Sequence, residues 1–80
     1  MGCEEEWMRI AITEAKLSLE HNDIPIGALV IYNEDVIASR HNEREFQKDP
    51  TAHAEVLAIR DAAKILGTSR LDGATLVTTL

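Results

Sequence analysis

The run Ile26-Gly27-Ala28-Leu29-Val30-Ile31-Tyr32 is apolar at every position. It is rich in β-branched residues and shorter than a typical helix, so it reads as a strand covered on both faces. Such a strand needs packing partners on either side of its sheet, and the flanking sequence has to supply them. Eighty residues allow one domain. A chain of this size buries only about 60% of its unfolded surface, which leaves little stability to spare.

The partners are legible as two helices. Over Glu4 to His21, Met8, Ala11, Ile12, Ala15 and Leu19 fall on one helical stripe. Glu4, Glu5 and Glu6 suit the positive end of the helix dipole. Asn22-Asp23 followed by Pro25 predicts the stop. Asn33-Glu34-Asp35 reads as a turn and Val36 to Ser39 as a second strand, which gives a hairpin and a sheet expected to be mixed. Residues 40 to 50 form a polar connection, long enough without structure of its own to suggest a functional or a disordered loop. A second helix follows, capped by Asp49 or Thr51 with Pro50 in the first helical position. Ala54, Leu57, Ala58, Ala62, Ile65 and Leu66 form its stripe. Val56, Ile59 and Ala63 widen that stripe, so it should be covered on more than one side. Gly67 suits the helix end. Asp72-Gly73 turns the chain into a last strand, Ala74 to Leu80. Helix, hairpin, helix, strand is an α/β arrangement with helices packed on a sheet. Three strands and two helices leave much apolar surface uncovered, so residues 1–80 read as the amino-terminal portion of a larger single domain.

Composition removes several classes. Apolar residues make up 45% and charged residues 28%, which is globular composition. No apolar run approaches the roughly 20 residues that span a bilayer, so no membrane role is expected. The first six residues carry three glutamates and no basic residue, unlike a secretory signal. The single cysteine, Cys3, cannot form an internal disulfide, and a cytoplasmic protein is expected. Eight basic against fourteen acidic side chains give a net charge of −6, which argues against a general phosphate-binding surface but not against a site that reads one extruded base.

The chemistry concentrates in Asp49-Pro50-Thr51-Ala52-His53-Ala54-Glu55. A neutral imidazole is a good zinc ligand, and a nearby carboxylate can move a proton from water to a leaving group. Residues two apart on a helix diverge by about 200°, so His53 and Glu55 share one site only at the helix start. There the free backbone N–H groups also face a ligand. Without their context, a His and a Glu at a helix start are ordinary surface residues. His21 and His41 read as solvated loop or helix-end residues, Trp7 as a core or interface anchor, and Arg44, Lys48 and Arg70 as solvated charges. Phe46 either stacks on a base or pins the loop.

Pro25-Ile26-Gly27-Ala28, Asn42, the Pro-Thr-Ala-His-Ala-Glu string at 50–55 and Gly73-Ala74-Thr75-Leu76 together resemble the bacterial tRNA-specific adenosine deaminases of the cytidine deaminase-like zinc superfamily. The resemblance runs from about Trp7 to Leu80. It implies a three-layer α/β fold, here truncated, and a homodimer. It also implies zinc-dependent conversion of the wobble adenosine of a tRNA anticodon stem-loop to inosine. By the same resemblance His53 is a zinc ligand and Glu55 the proton carrier. Asn42, the Ala54 N–H and Ile26 would contact the base.

The departure from the family is equally specific. The family's two other zinc ligands lie in a Glu-Pro-Cys-x-x-Cys segment that would follow Leu80, and Val77-Thr78-Thr79 replaces an aromatic-bearing pattern. One histidine does not make a zinc site, so the 80 residues as written are expected to be inactive. Two other readings stay open. One is a deaminase of guanine or another nucleobase, the other a non-catalytic remnant or partner-binding module.

Overall fold

The computed structural model describes residues 4–49 and 51–79, His21 by its backbone alone. Helix α1 spans Glu4–Lys16, with its three glutamates in the first turn and Lys16 in the last. It tightens into a 3-10 turn over Leu17–His21, which ends at left-handed Asn22 (φ 60°). Asparagine tolerates that conformation because its short side chain can bond locally. The buried face of this helical stretch is Ala11, Ala15 and Ser18 with half-buried Trp7, rather than the full predicted stripe. Met8, Ile12 and Leu19 are exposed. Small residues face the sheet because the two backbones nearly touch. A Cβ built on Gly27 would lie 2.1 Å from the Ala11 carbonyl oxygen.

Strand β1 is Gly27–Tyr32, buried over its first five residues. Its side chains alternate between two cores, as a two-residue period requires. Ala28 and Val30 pack with Ala38 and with Ala54, Ala58 and Ala62. Leu29 and Ile31 pack with Ala11, Trp7 and Val77. The strand is thus covered on both faces, the middle of three layers.

Asn33 and Glu34, both with positive φ (52° and 66°), turn the chain into strand β2, Asp35–His41. Two left-handed residues suit the twist of a tight hairpin, but glutamate is a poor choice for the second. Glu34→Gly is expected to raise stability by about 1 kcal/mol, read from the urea midpoint. β2 reaches two residues past the predicted Ser39, because Arg40 and His41 still pair with Ala28 and Gly27.

The 40–50 connection is not structureless. It contains a single turn, α2, over Arg44–Gln47. The Asp23 carboxylate, buried and distant in sequence, accepts the Glu45 N–H at 3.1 Å. Helix α3 spans Ala54–Leu66 with His53 as its N-cap. This is later than Asp49 or Thr51, and Pro50 lies outside the described residues. Asp49 caps a local turn instead. Its Oδ1 accepts the Thr51 N–H at 2.9 Å and the Thr51 hydroxyl at 2.7 Å, which holds the Asp49 carboxyl below its ordinary range. One face of α3 is covered, and Ile59 and Ile65 are exposed, so cover on further sides is absent among the described residues. Gly67 ends the helix in the left-handed region (φ 69°).

Strand β3, Thr75–Thr78, pairs antiparallel with β1, and the sheet order is β2-β1-β3. The described sheet is therefore antiparallel throughout and not mixed. β2 and β3 do run parallel, but the α3 crossover carries the chain over β1, so the parallel strands are never neighbours. The sequence of this last strand reads as buried, but Leu76 is exposed. Among the described residues no helix is long and apolar enough to cross a membrane.

Candidate active site

Backbone hydrogen bonds fix the chain leading into α3. Ala52 N–H donates to the Asp49 carbonyl at 3.1 Å, and the Ala52 carbonyl accepts the Glu43 N–H at 2.9 Å. His53 N–H donates to the Thr51 carbonyl at 2.8 Å. His53 itself is extended (φ −78°, ψ 145°), and Glu55 follows in the first helical turn. Because His53 is not on the helical spiral, the divergence of about 200° between helical residues two apart does not apply to this pair.

Asn42 arrives from the end of β2. Its N–H donates to the Ile26 carbonyl at 3.1 Å, and its Oδ1 accepts the Ala54 N–H at 2.8 Å. That N–H is one of the donors a helix start leaves unpaired. Asn42 is 2% exposed. A carboxamide is planar, so with Oδ1 committed, the two Nδ2 hydrogens are what it offers a ligand. Among the described residues they have no acceptor. Ile26 packs against the core that contains Ala54. The five candidate residues thus form one cluster: Ile26 and Asn42 bonded to each other, Asn42 bonded to Ala54, and His53 and Glu55 on either side of it. Glu55 makes no hydrogen bond or ion pair among the described residues. The Ala54 N–H, which the resemblance offers to a base, is engaged by Asn42 in this arrangement.

Arg40 ties the loop to the helix. It donates to Asp61 of α3 at 2.8 Å and to Glu43 at 2.7 Å. Burial disfavours its charge, but the two carboxylates outweigh that and raise its pKa. Burial likewise pushes the Glu43 carboxyl up, yet hydrogen bonds from Arg40 and Gln47 hold it below the ordinary value. A depressed folded pKa stabilises the fold above the unfolded value, about 4.3, and that stability is lost as pH falls through the folded value. The urea midpoint is expected to drop below pH about 4.3, and Arg40→Met should make that drop shallower.

Several contributors escaped the sequence reading. His41 is not solvated. It pairs through Nδ1 with Glu14, and both side chains are mostly buried. Ser18 and Asp23 hold the loop from the far side. Ser18 lies seven residues after Ala11 on the buried face of the helix, and a small polar residue at such a position was the available signal. Phe46 is 61% exposed on α2. Arg70 pairs with Asp72 at the surface.

A zinc site needs at least three protein ligands. No group of three His, Cys, Asp or Glu side chains that could hold a metal occurs among the described residues, so these residues alone do not fit the ion.

Residues 1–80 match the family model described as the cytidine and deoxycytidylate deaminase zinc-binding region. The chain is similar to the tRNA-specific adenosine deaminase of Bacillus subtilis (strain 168), with 49% identity over 80 residues, 100% of this chain and 50% of the relative. It is similar to that of Aquifex aeolicus (strain VF5), with 42% identity over 77 residues, 96% of this chain and 51% of the relative. In three dimensions it resembles a structure from biochemical and structural studies of A-to-I editing by tRNA:A34 deaminases at the wobble position of transfer RNA. The TM-score is 0.90 at 40% identity, over 94% of this chain and 58% of the other. It also resembles guanine deaminase from Bacillus subtilis, with TM-score 0.86 at 39% identity, over 98% of this chain and 50% of the other. The chain spans about half the length of the curated relatives it matches. With all 80 residues matched by the model of that zinc-binding region and its fold shared with these structures, the chain belongs to the cytidine and deoxycytidylate deaminase family.

Proposed function

We propose that residues 1–80 are the amino-terminal portion of a single deaminase domain that converts the wobble adenosine of a tRNA anticodon to inosine. The observation that carries this reading is the 2.8 Å bond from the Ala54 N–H to Asn42 Oδ1. It joins a buried amide donor to a helix start flanked by His53 and Glu55, and such a donor suits a hydrogen-bond acceptor on a base. In this reading Ile26 lines the base pocket and Asn42 binds the base. His53 is one zinc ligand, and two thiolates from a following Pro-Cys-x-x-Cys segment complete the set. Glu55 carries a proton from the attacking water to the departing ammonia. The protein acts in the cytoplasm as a homodimer.

Inosine formation from an anticodon stem-loop, followed by mass spectrometry with and without zinc, tests the proposal. The 80 residues are expected to be inactive alone and active once joined to the segment that supplies the two cysteines. The similarity to a guanine deaminase makes free guanine the informative competitor. Consumption of guanine with the stem-loop untouched would favour the nucleobase reading. Conversion of neither would leave a non-catalytic module.

A further inference from the structure

The end of β2 is gripped from both sides of the sheet. Ala38 and Arg40 face α3, through the Ala54–Ala58–Ala62 core and through Asp61 respectively. Ser39 and His41, the alternate residues, face α1. There one carboxylate meets both: Glu14 Oε1 accepts the Ser39 hydroxyl at 2.8 Å, and Glu14 Oε2 pairs with His41 Nδ1. The carboxylate can only accept, so Nδ1 carries the hydrogen. One residue further on, the Ser18 hydroxyl, fully buried, donates to the Asn42 carbonyl at 3.0 Å. These three bonds come from one helical stretch and fall on Ser39, His41 and Asn42, the last of which accepts the Ala54 N–H at the start of α3.

We infer that Glu14 and Ser18 are positioning residues: they fix the backbone of residues 39–42 so that the Asn42 carboxamide keeps Oδ1 on the Ala54 N–H and presents Nδ2 to the substrate. This rests on the reading of Asn42 as the base-binding residue. The physical reason is leverage. Asn42 has a short side chain, and a hydrogen bond weakens steeply when its geometry slips. A loop free to move would let Oδ1 leave Ala54 and blur the direction of the two donors. Neither Glu14 nor Ser18 needs to touch substrate for this.

The test uses isotope-labelled chain and amide hydrogen exchange. Ser18→Ala and Glu14→Ala are each expected to speed exchange at Ala54 by about tenfold, the worth of one hydrogen bond, and to shift the Asn42 Nδ2 resonances. Exchange at Leu29, in the core, should change less than twofold. Glu14→Gln keeps one acceptor for Ser39 or His41 and should restore part of the protection, and it decides the matter if Glu14→Ala does not fold. Equal acceleration at Ala54 and Leu29, or none at either, overturns the inference, because the contacts would then serve packing alone. In the form that carries the two cysteines, the same variants should raise KM about tenfold with kcat within twofold. A reduced kcat at unchanged KM would overturn it as well. If the form with the two cysteines and no substitution deaminates nothing, the functional reading fails, and the exchange ratio by itself still decides whether Glu14 and Ser18 position Asn42.

Discussion

Gly27→Ala is expected to cost at least about 3 kcal/mol, the upper end for overpacking, and to detach α1 from the sheet. The added Cβ would meet the Ala11 carbonyl oxygen at 2.1 Å and the Ala15 nitrogen at 2.8 Å. Both are backbone atoms in the interior of α1, so no side chain can rotate out of the way. The helix must retreat, and its retreat opens the core formed by Ala11, Leu29 and Ile31. A chain of this length has roughly 4–12 kcal/mol of stability in total. Trp7 packs against the same core and is the chain's one tryptophan, so its fluorescence reports the loss directly. The expected result is a red-shifted emission and a urea midpoint lowered or abolished. Gly67→Ala is the control. Its Cβ meets nothing within 4 Å, and its positive φ costs only about 1–2 kcal/mol. A Gly27→Ala variant as stable as wild type would mean that α1 and β1 are not in contact as described.

On the proposed function, Glu55→Gln is expected to lower the deamination rate by about 10²- to 10⁴-fold in a chain joined to the segment that supplies the two cysteines, while leaving the fold intact. The side chain sits in the first turn of α3 and forms no hydrogen bond or ion pair among the described residues. Its charge also suits the positive end of the helix dipole, worth about 0.3–1 kcal/mol. Glutamine keeps the shape and a hydrogen-bonding end but cannot carry a proton. The two effects therefore separate. Thermal unfolding should shift by a few degrees at most, while turnover collapses. A variant that retains more than about a tenth of its turnover would remove Glu55 from the role of proton carrier.

What could be read from the sequence was local. The apolar run of β1, the Asn22-Asp23 stop and the Gly67 cap each depend on residues within a turn of one another, and the structure keeps all three. What could not be read depends on distant partners. α2 forms where the Asp23 carboxylate meets the Glu45 N–H, a pair separated by 22 residues. The start of α3 is set by Asn42, 12 residues earlier, and not by the nearer Asp49, whose carboxylate is engaged with Thr51. His41 looked solvated because its partner, Glu14, lies on the first helix. The candidate cluster shows the same division. His53, Ala54 and Glu55 were visible as a string, and Asn42 through its resemblance. The hold on Asn42 by Ser18 had no local signature.

The strand order β2-β1-β3 also bears on synthesis. β1 leaves the ribosome with one edge matched by β2 soon afterwards, but its other edge pairs with Thr75 to Thr78, more than half the chain later. At about 5–20 residues per second, that edge waits for roughly 2–9 s. Through this interval the apolar run of β1 is in a half-sealed hairpin, a shape that invites pairing with another nascent chain. Slow translation across the α3 codons would lengthen the exposure, and a chaperone that shields extended apolar strands would have its best opportunity there.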